Sequence, residues 1–442
     1  MSTPSSPSHS SSALHLAVAL DGAGWHPAAW REPAARPRAL FTASYWADLV
    51  SEAERGLLDF VTFEDGLGLQ SSHPTHGDAR TDQVRGRLDA VLVAARVAPL
   101  TRHIGLVPTV VTTHTEPFHL SKAIATLDYV SAGRAGVRVR VSARQDEAAH
   151  FGRRTLPALD GQEGEPRFDD PAVRALIHDL FDEAADYVDV VRRLWDSWED
   201  DAEIRDVATG RFVDRDKLHY IDFRGRYFSV KGPSITPRPP QGLPPVGALA
   251  HENPTGAPFR LVGRSTDLGF VTPHDTDDVR GIVAAVRAEQ DAAGRAGEPL
   301  HLFGDLVVFL DDDPADAVAR RDRLDSLAGR PYTGDARVFT GTPAQLADLV
   351  REFAAAGLTG FRLRPAVVGH DLPMITRGLV PELQRRGVFR RAYEADTLRG
   401  LLGLPRPASR YAATSPPSAG AATEASASAS AASTPAAPAT AV

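Results

Sequence analysis

Residues 103–141 read HIGLVPTVVTTHTEPFHLSKAIATLDYVSAGRAGVRVRV, and the spacing of apolar positions changes twice within them. Residues 104–111 are mostly apolar and β-branched, which predicts a buried strand. Residues 112–118 are polar, with Pro117 as a breaker. Leu120, Ile124, Leu127 and Val130 then recur at helical spacing and predict a helix over 119–130. The segment SAGRAG at 131–136 closes it, and 137–141 restart a strand. Strand, polar loop, helix and second strand form the repeating unit of a parallel α/β sheet or barrel. Ligands in such folds meet the loops at the C-terminal ends of strands. The loop TTHTEPF is therefore expected to lie near the chemistry.

The same reading predicts further strands at 14–20, 59–64, 246–250, 268–272, 302–310 and 360–363. Helices are predicted at 45–57, 84–98, 184–198, 259–264, 277–293, 342–356, 374–386 and 392–402. The helix at 342–356 starts Thr-Pro, with proline at the first helical position. The pattern is lost at 148–171. Residues 199–217 are charged, and HYIDFRGRYFSVKGP at 219–233 reads as a hairpin turning at Arg224-Gly225. Eight strands, most followed by helices, predict an α/β fold: a (β/α)8 TIM barrel over 13–405 with a large insertion at about 148–245. A doubly wound open sheet is the alternative. No G-x-G-x-x-G follows the first strand, so a dinucleotide-binding reading lacks its main support. Residues 1–12, rich in Ser and Pro, and the Ala/Ser/Pro-rich residues 406–442 are expected to be disordered.

Composition narrows the function. The chain of 442 residues carries a net charge of -8 and no basic stripe, which argues against nucleic acid as a partner. It contains no cysteine, which removes disulfides, thiolate metal ligands and cysteine nucleophiles together. The first residues lack a basic n-region and an apolar core, and no run of about 18 apolar residues occurs, so neither a signal peptide nor a membrane span is expected. A cytoplasmic location fits. Among the histidines, the pairs His114/His119 and His73/His76 lack clustered carboxylates, and no metal site is expected. Tyr187 to Trp198 form an aromatic core stripe, and Glu199-Asp200-Asp201 reads as a solvated face. Arg362 and Arg364 point the same way from the eighth strand, either into the barrel mouth or out toward acids on the helices.

Several segments in family order resemble the bacterial luciferase-like flavin-dependent monooxygenases, in the branch of the nitrilotriacetate, EDTA and dibenzothiophene-sulfone monooxygenases. They are ALDGAGWHPAAWR at 19–31, DFVTFEDG at 59–66, 102–136, ADYVDVVRRLWDSWEDDA at 185–202, FRGRYFSVKGPSITPRPPQGLP at 223–244, and GLVPELQRRGVFRRAYEADTLRGLLGLP at 378–405. The resemblance implies a barrel that binds reduced FMN, delivered by a separate NAD(P)H:flavin reductase, and uses O2 to oxygenate a small organic substrate. It implies a homodimer. By the same resemblance Asp65, Thr112 and Thr109 are cofactor-binding residues, and His178 belongs to a phosphate-holding pair. His251 joins them from its place at a strand end. No catalytic acid or base is assigned. The chain departs from the family pattern in three places. GRAGVR puts Val137 and Arg138 where relatives read Trp-Asn, Phe181 stands for a tyrosine, and ALAHENPTG at 248–256 lacks the paired serines of the phosphate loop. Arg138, His251, Asn253 or the amides of the following helix are the substitutes for holding phosphate. The departures leave two alternatives: a deazaflavin-dependent oxidoreductase, and a non-catalytic luciferase-like binding protein.

Overall fold

The computed structural model describes residues 14–71, 76–157, 159, 167–251 and 253–412. Eight parallel strands close into a barrel: β1 (His15–Leu20), β2 (Phe60–Phe63), β3 (Gly105–Val111), β4 (Val137–Arg140), β5 (Val246–Ala250), β6 (Leu268–Val271), β7 (His301–Leu310) and β8 (Gly360–Pro365). Each strand pairs with its successor, and β8 returns to β1 with His15 opposite Gly360. The expected barrel is the observed fold, and the open doubly wound sheet is excluded because β6 pairs with β7. These strands are buried on both faces, which is why they read as apolar runs rather than alternations.

Inward-pointing residues fall in layers. Phe60, Val107, Leu268, Phe270 and Phe303 fill the N-terminal half of the barrel, and Leu398, Leu402 and Leu404 from the C-terminal segment pack against them. Aromatic rings meet edge to face within this layer, as Phe60 does with Phe303 at 5.2 Å. The floor is closed by Asp59, which accepts from Leu16 N at 2.8 Å and from His15 Nδ1 at 2.8 Å and is ion-paired to Arg390.

Seven segments differ from the sequence reading. The helix expected over 184–198 is Pro171–Asp196, because Asp170 caps it, Pro171 starts it, and Val173, Ile177 and Leu180 bury its first turns. It packs against helices Pro117–Val130 and Ala257–Ser265, so this stretch of the insertion is the barrel's own fourth helix. The charged stretch 199–217 forms a small antiparallel pair, Glu203–Asp206 with Arg211–Val213. Its acids are not merely solvated: Asp200 holds Arg238 and Arg406, and Asp201 holds Lys217. Helix Pro314–Ala328 and strand Arg337–Gly341 were not predicted. The helix buries only Ala317, Arg320 and Leu324, too few apolar positions to show a period. The strand extends the sheet beside the C-terminal half of β7. The helix expected over 84–98 is shortened to Ala90–Val97, and that over 392–402 to Leu398–Leu401. The helix of 374–386 is split by a π turn at Ile375–Leu379.

Candidate active site at the barrel mouth

Above the apolar layer the barrel interior turns ionic. Thr62, Thr109, Asp305, Arg138, Arg362 and Arg364 are all buried. The inward face of β8 carries both Arg362 and Arg364, which resolves their orientation: they point into the barrel. Arg362 Nε donates to Asp305 Oδ1 at 2.8 Å, and its Nη1 reaches Thr62 Oγ1 at 3.1 Å and Glu64 Oε1 at 3.0 Å. Arg364 Nε donates to Asp305 Oδ2 at 2.9 Å, and its Nη1 to Asp335 at 2.6 Å. Arg138 is ion-paired to Glu64 and donates from Nε to Thr109 Oγ1 at 3.0 Å. Two guanidiniums also lie over aromatic faces, Arg362 over Phe270 at 4.4 Å and Arg364 over Trp25 at 4.5 Å.

Three buried cations face three carboxylates, which is the condition for burying charge at all. Burial alone would raise the Glu64 carboxyl, but Arg138 and Arg362 hold it down to about 2. Asp335, whose side chain is 41% exposed at the rim of the network, is likewise lowered to about 2 by Arg364. Burial lowers Arg138 to about 10 against the pull of Glu64, which still leaves it charged at neutral pH.

Of the residues predicted for the site, Asp65 lies just beyond β2. It accepts from Gly66 N at 2.7 Å and, across to the next helix, from Ala90 N at 2.9 Å. Burial pushes its carboxyl up. Thr109 is occupied by Arg138, and Thr112 Oγ1 donates to Arg140 O at 3.2 Å. His251 follows β5 half-buried, its imidazole held below its ordinary pKa by burial. His178 lies on helix Pro171–Asp196, where Nδ1 receives Arg260 Nη2 at 2.8 Å. The structure thus brings Thr109 and Thr112 together at the ends of β3 and β4, and sets His178 apart with Arg260. Arg138, read as a phosphate ligand, is instead committed inside the barrel. His73 lies outside the described residues. His114 is buried beside Thr113, stacked on Phe151 at 5.4 Å, with Nε2 lacking a hydrogen-bond partner. Burial and Arg154 lower its pKa, which keeps the ring neutral. Among the described residues no cluster of three or more His, Cys, Asp or Glu is arranged to hold a metal ion, and no helix is long and apolar enough to cross a membrane.

A profile of the luciferase-like monooxygenases matches residues 23–357. The chain belongs to the luciferase-like monooxygenase family. It is 29% identical to N-acetyl-S-(2-succino)cysteine monooxygenase of Bacillus subtilis (strain 168), over 90% of this chain and 98% of that protein. It is 28% identical to nitrilotriacetate monooxygenase component A of Aminobacter aminovorans, with the same coverage. Among solved structures it matches riboflavin lyase RcaE, with modified FMN and substrate riboflavin, at a TM-score of 0.75 and 25% identity, over 90% of this chain and 98% of that one.

Luciferase-like monooxygenases are flavin-dependent, and the residues after β5 fit a flavin phosphate. Helix Ala257–Ser265 begins at Gly256, whose φ of 67° is a left-handed conformation that glycine adopts without strain. The space over Gly256 is open, with nothing within 4 Å of where a Cβ would stand. Arg260, one turn into this helix, presents its guanidinium beside His178. Of the helix's first amides, Gly256 N donates to Asn253 O and Ala257 N to Thr255 Oγ1, both at 3.2 Å, and Pro258 has none, so the guanidinium of Arg260 and the imidazole of His178 are the groups there with the chemistry to bind a phosphate. Arg260 escaped the sequence reading because only the fold brings it, 82 positions along the chain, to His178.

Proposed function

We propose that the protein is the oxygenating component of a two-component monooxygenase, binding reduced FMN supplied by an NAD(P)H:flavin reductase and oxygenating a small organic substrate with O2. The observation that carries it is the pairing of His178 with Arg260 of helix Ala257–Ser265, an imidazole and a guanidinium suited to a flavin phosphate. The name of the Aminobacter relative, component A, supports a division of labour with a second protein.

In this reading Arg260 and His178 hold the phosphate. Asp65, Thr109, Thr112 and the unpartnered His114 Nε2 face the ring and the substrate. The flavin, when bound, supplies the redox chemistry with O2. The protein orients it, and the buried ion network beneath supplies a rigid polar floor that closes the barrel to water from below. Neutral His114 can donate or accept one proton at Nε2 beside the reacting atoms. A cytoplasmic location belongs to this reading, because the proposed reductase draws on NAD(P)H.

A second copy of the chain is proposed to cover the face of helices Ala90–Val97 and Pro117–Val130. Leu92 is 70% exposed on the first helix, Leu100 50% in the turn after it and Val130 51% at the end of the second, the apolar positions at which two copies would meet.

The test is anaerobic titration of the purified chain with reduced FMN and with a reduced deazaflavin, followed by O2 with a reductase and NADH. Preferential FMN binding and O2-dependent NADH use are expected. Preferential deazaflavin binding would establish the deazaflavin reading instead, and binding of neither would leave a non-catalytic role.

A further inference from the structure

Two buried polar atoms beside the barrel mouth are left without partners, and one helical turn brings them together. Glu147 is 1% exposed and His114 5%. Neither Oε2 of Glu147 nor Nε2 of His114 has a hydrogen-bond partner among the described residues. A buried polar atom left unpaired costs stability, so two of them on one patch call for a ligand that pairs both.

Their juxtaposition follows from the segment after β4. Glu147 lies on helix Gln145–Ala149, and Phe151 lies in the turn that ends it. His150 N donates to Glu147 O at 3.2 Å and Phe151 N to Ala148 O at 3.1 Å, so Glu147 and Phe151, four apart, share one face. Phe151 stacks on His114, with the ring planes 19° apart. Ser142 N donates to Thr113 Oγ1 at 2.9 Å, which ties the start of the same segment to the residue before His114. From the loop after β2, Gly68 closes on Glu147: a Cβ there would stand 3.3 Å from Glu147 Cγ. Burial and Arg154 hold the imidazole below its ordinary pKa, and the Glu147 charge opposes them from nearby.

The charges around the patch do not balance. Arg144 Nε is 3.8 Å from Glu147 Oε1, but it donates to Asp146 Oδ1 at 3.0 Å, so one cation faces two carboxylates. Arg154 is spent on Glu183 through both terminal nitrogens, at 2.6 and 2.5 Å, and Arg153 is ion-paired to Glu116. With His114 neutral, the surplus is one negative charge, beside the carboxylate oxygen that lacks a donor.

We propose that Glu147 Oε2 and His114 Nε2 form an amine subsite, and that the substrate carries a primary ammonium group donating one N–H to each. This rests on the monooxygenase reading for the identity of the ligand as substrate. An ionised carboxylate only accepts, and a neutral imidazole accepts at Nε2 when Nδ1 holds its proton. Two acceptors with a surplus negative charge favour a cation that has N–H donors over a neutral alcohol, and over a quaternary ammonium that has none.

The test is calorimetric titration of the full chain at neutral pH, without flavin or O2, using benzylamine against benzyl alcohol and benzyltrimethylammonium. Benzylamine is expected to bind about tenfold or more tightly than either. Glu147→Gln keeps the shape and removes the charge, and should weaken benzylamine about tenfold. His114→Phe keeps a ring on Phe151 and removes Nε2, and should weaken it too. Each variant loses an unpaired buried group, so both should melt no earlier than wild type, and if one fails to fold the other decides. Equal benzylamine binding by wild type and the folded variants would overturn the proposal, as would benzylamine failing to bind in the millimolar range or binding no better than benzyltrimethylammonium. Earlier melting of both variants with benzylamine binding unchanged would overturn it too, assigning the two side chains to the fold. Because no flavin is present, benzylamine binding by a chain that never takes up reduced FMN would sink the monooxygenase reading and leave the subsite standing.

Discussion

Asp305 and Arg362 stand directly opposite each other in register across β7 and β8, and Arg362 Nε donates to Asp305 Oδ1 at 2.8 Å in the fully buried barrel interior. Asp305 also receives Arg364, so one carboxylate anchors two guanidiniums. Asp305→Asn would leave both short of charge compensation. The expected loss is about 3–5 kcal/mol, the usual consequence of removing one partner from a buried pair. Urea unfolding checks it, as a lower midpoint with an unchanged slope.

The acid end of the stability profile follows from the same network. Glu64 and Asp335 have folded pKa values of about 2, against ordinary values of 4.5 and 3.8. A depressed carboxyl stabilises the fold fully above its unfolded pKa, and that stability is lost as pH falls through the folded value. The protein should therefore lose stability between pH 4.5 and about 2. Unfolding free energy measured against pH in Glu64→Gln should show a shallower slope in that window than wild type.

Arg260→Ala should raise the Kd for FMN about ten- to a hundredfold, the equivalent of one charge-assisted hydrogen bond to phosphate. Riboflavin, which lacks the phosphate, should bind both proteins alike. Flavin fluorescence quenching reads both ligands.

Asp128 pins the turn after helix Pro117–Val130. It accepts from Gln241 N at 3.1 Å, Gln241 Nε2 at 2.6 Å and Ala135 N at 3.2 Å, all buried. Asp128→Ala leaves those donors unsatisfied and should cost about 1–3 kcal/mol, seen as an earlier denaturant midpoint.

Leu92→Glu places a charge at the centre of the proposed contact between two copies. Sedimentation should show a monomer for the variant and a dimer for wild type. A monomeric wild type would remove the interface.

The strands and most helices were legible because their signal is local. Leu120, Ile124 and Leu127 repeat at helical spacing whatever surrounds them, and all three are buried in helix Pro117–Val130. Helix Pro314–Ala328 and strand Arg337–Gly341 were not, because the helix buries few residues and the strand is only half covered. Asp335 was lost with them, although it lies just before that strand and reaches Arg364 in the barrel mouth.

By itself the sequence determined the barrel, the absence of cysteine chemistry and the loops nearest the strand ends, since period, composition and chain order are read residue by residue. Which charges meet was decided only by the closed sheet. Arg362 and Glu64 lie 298 positions apart, and Arg260 and His178 lie 82 apart. An arginine on a strand reads the same whether it faces a carboxylate or open space. Barrel closure sets its partner, which is why Arg138 is consumed within the barrel and Arg140, two residues on, is left free at the mouth.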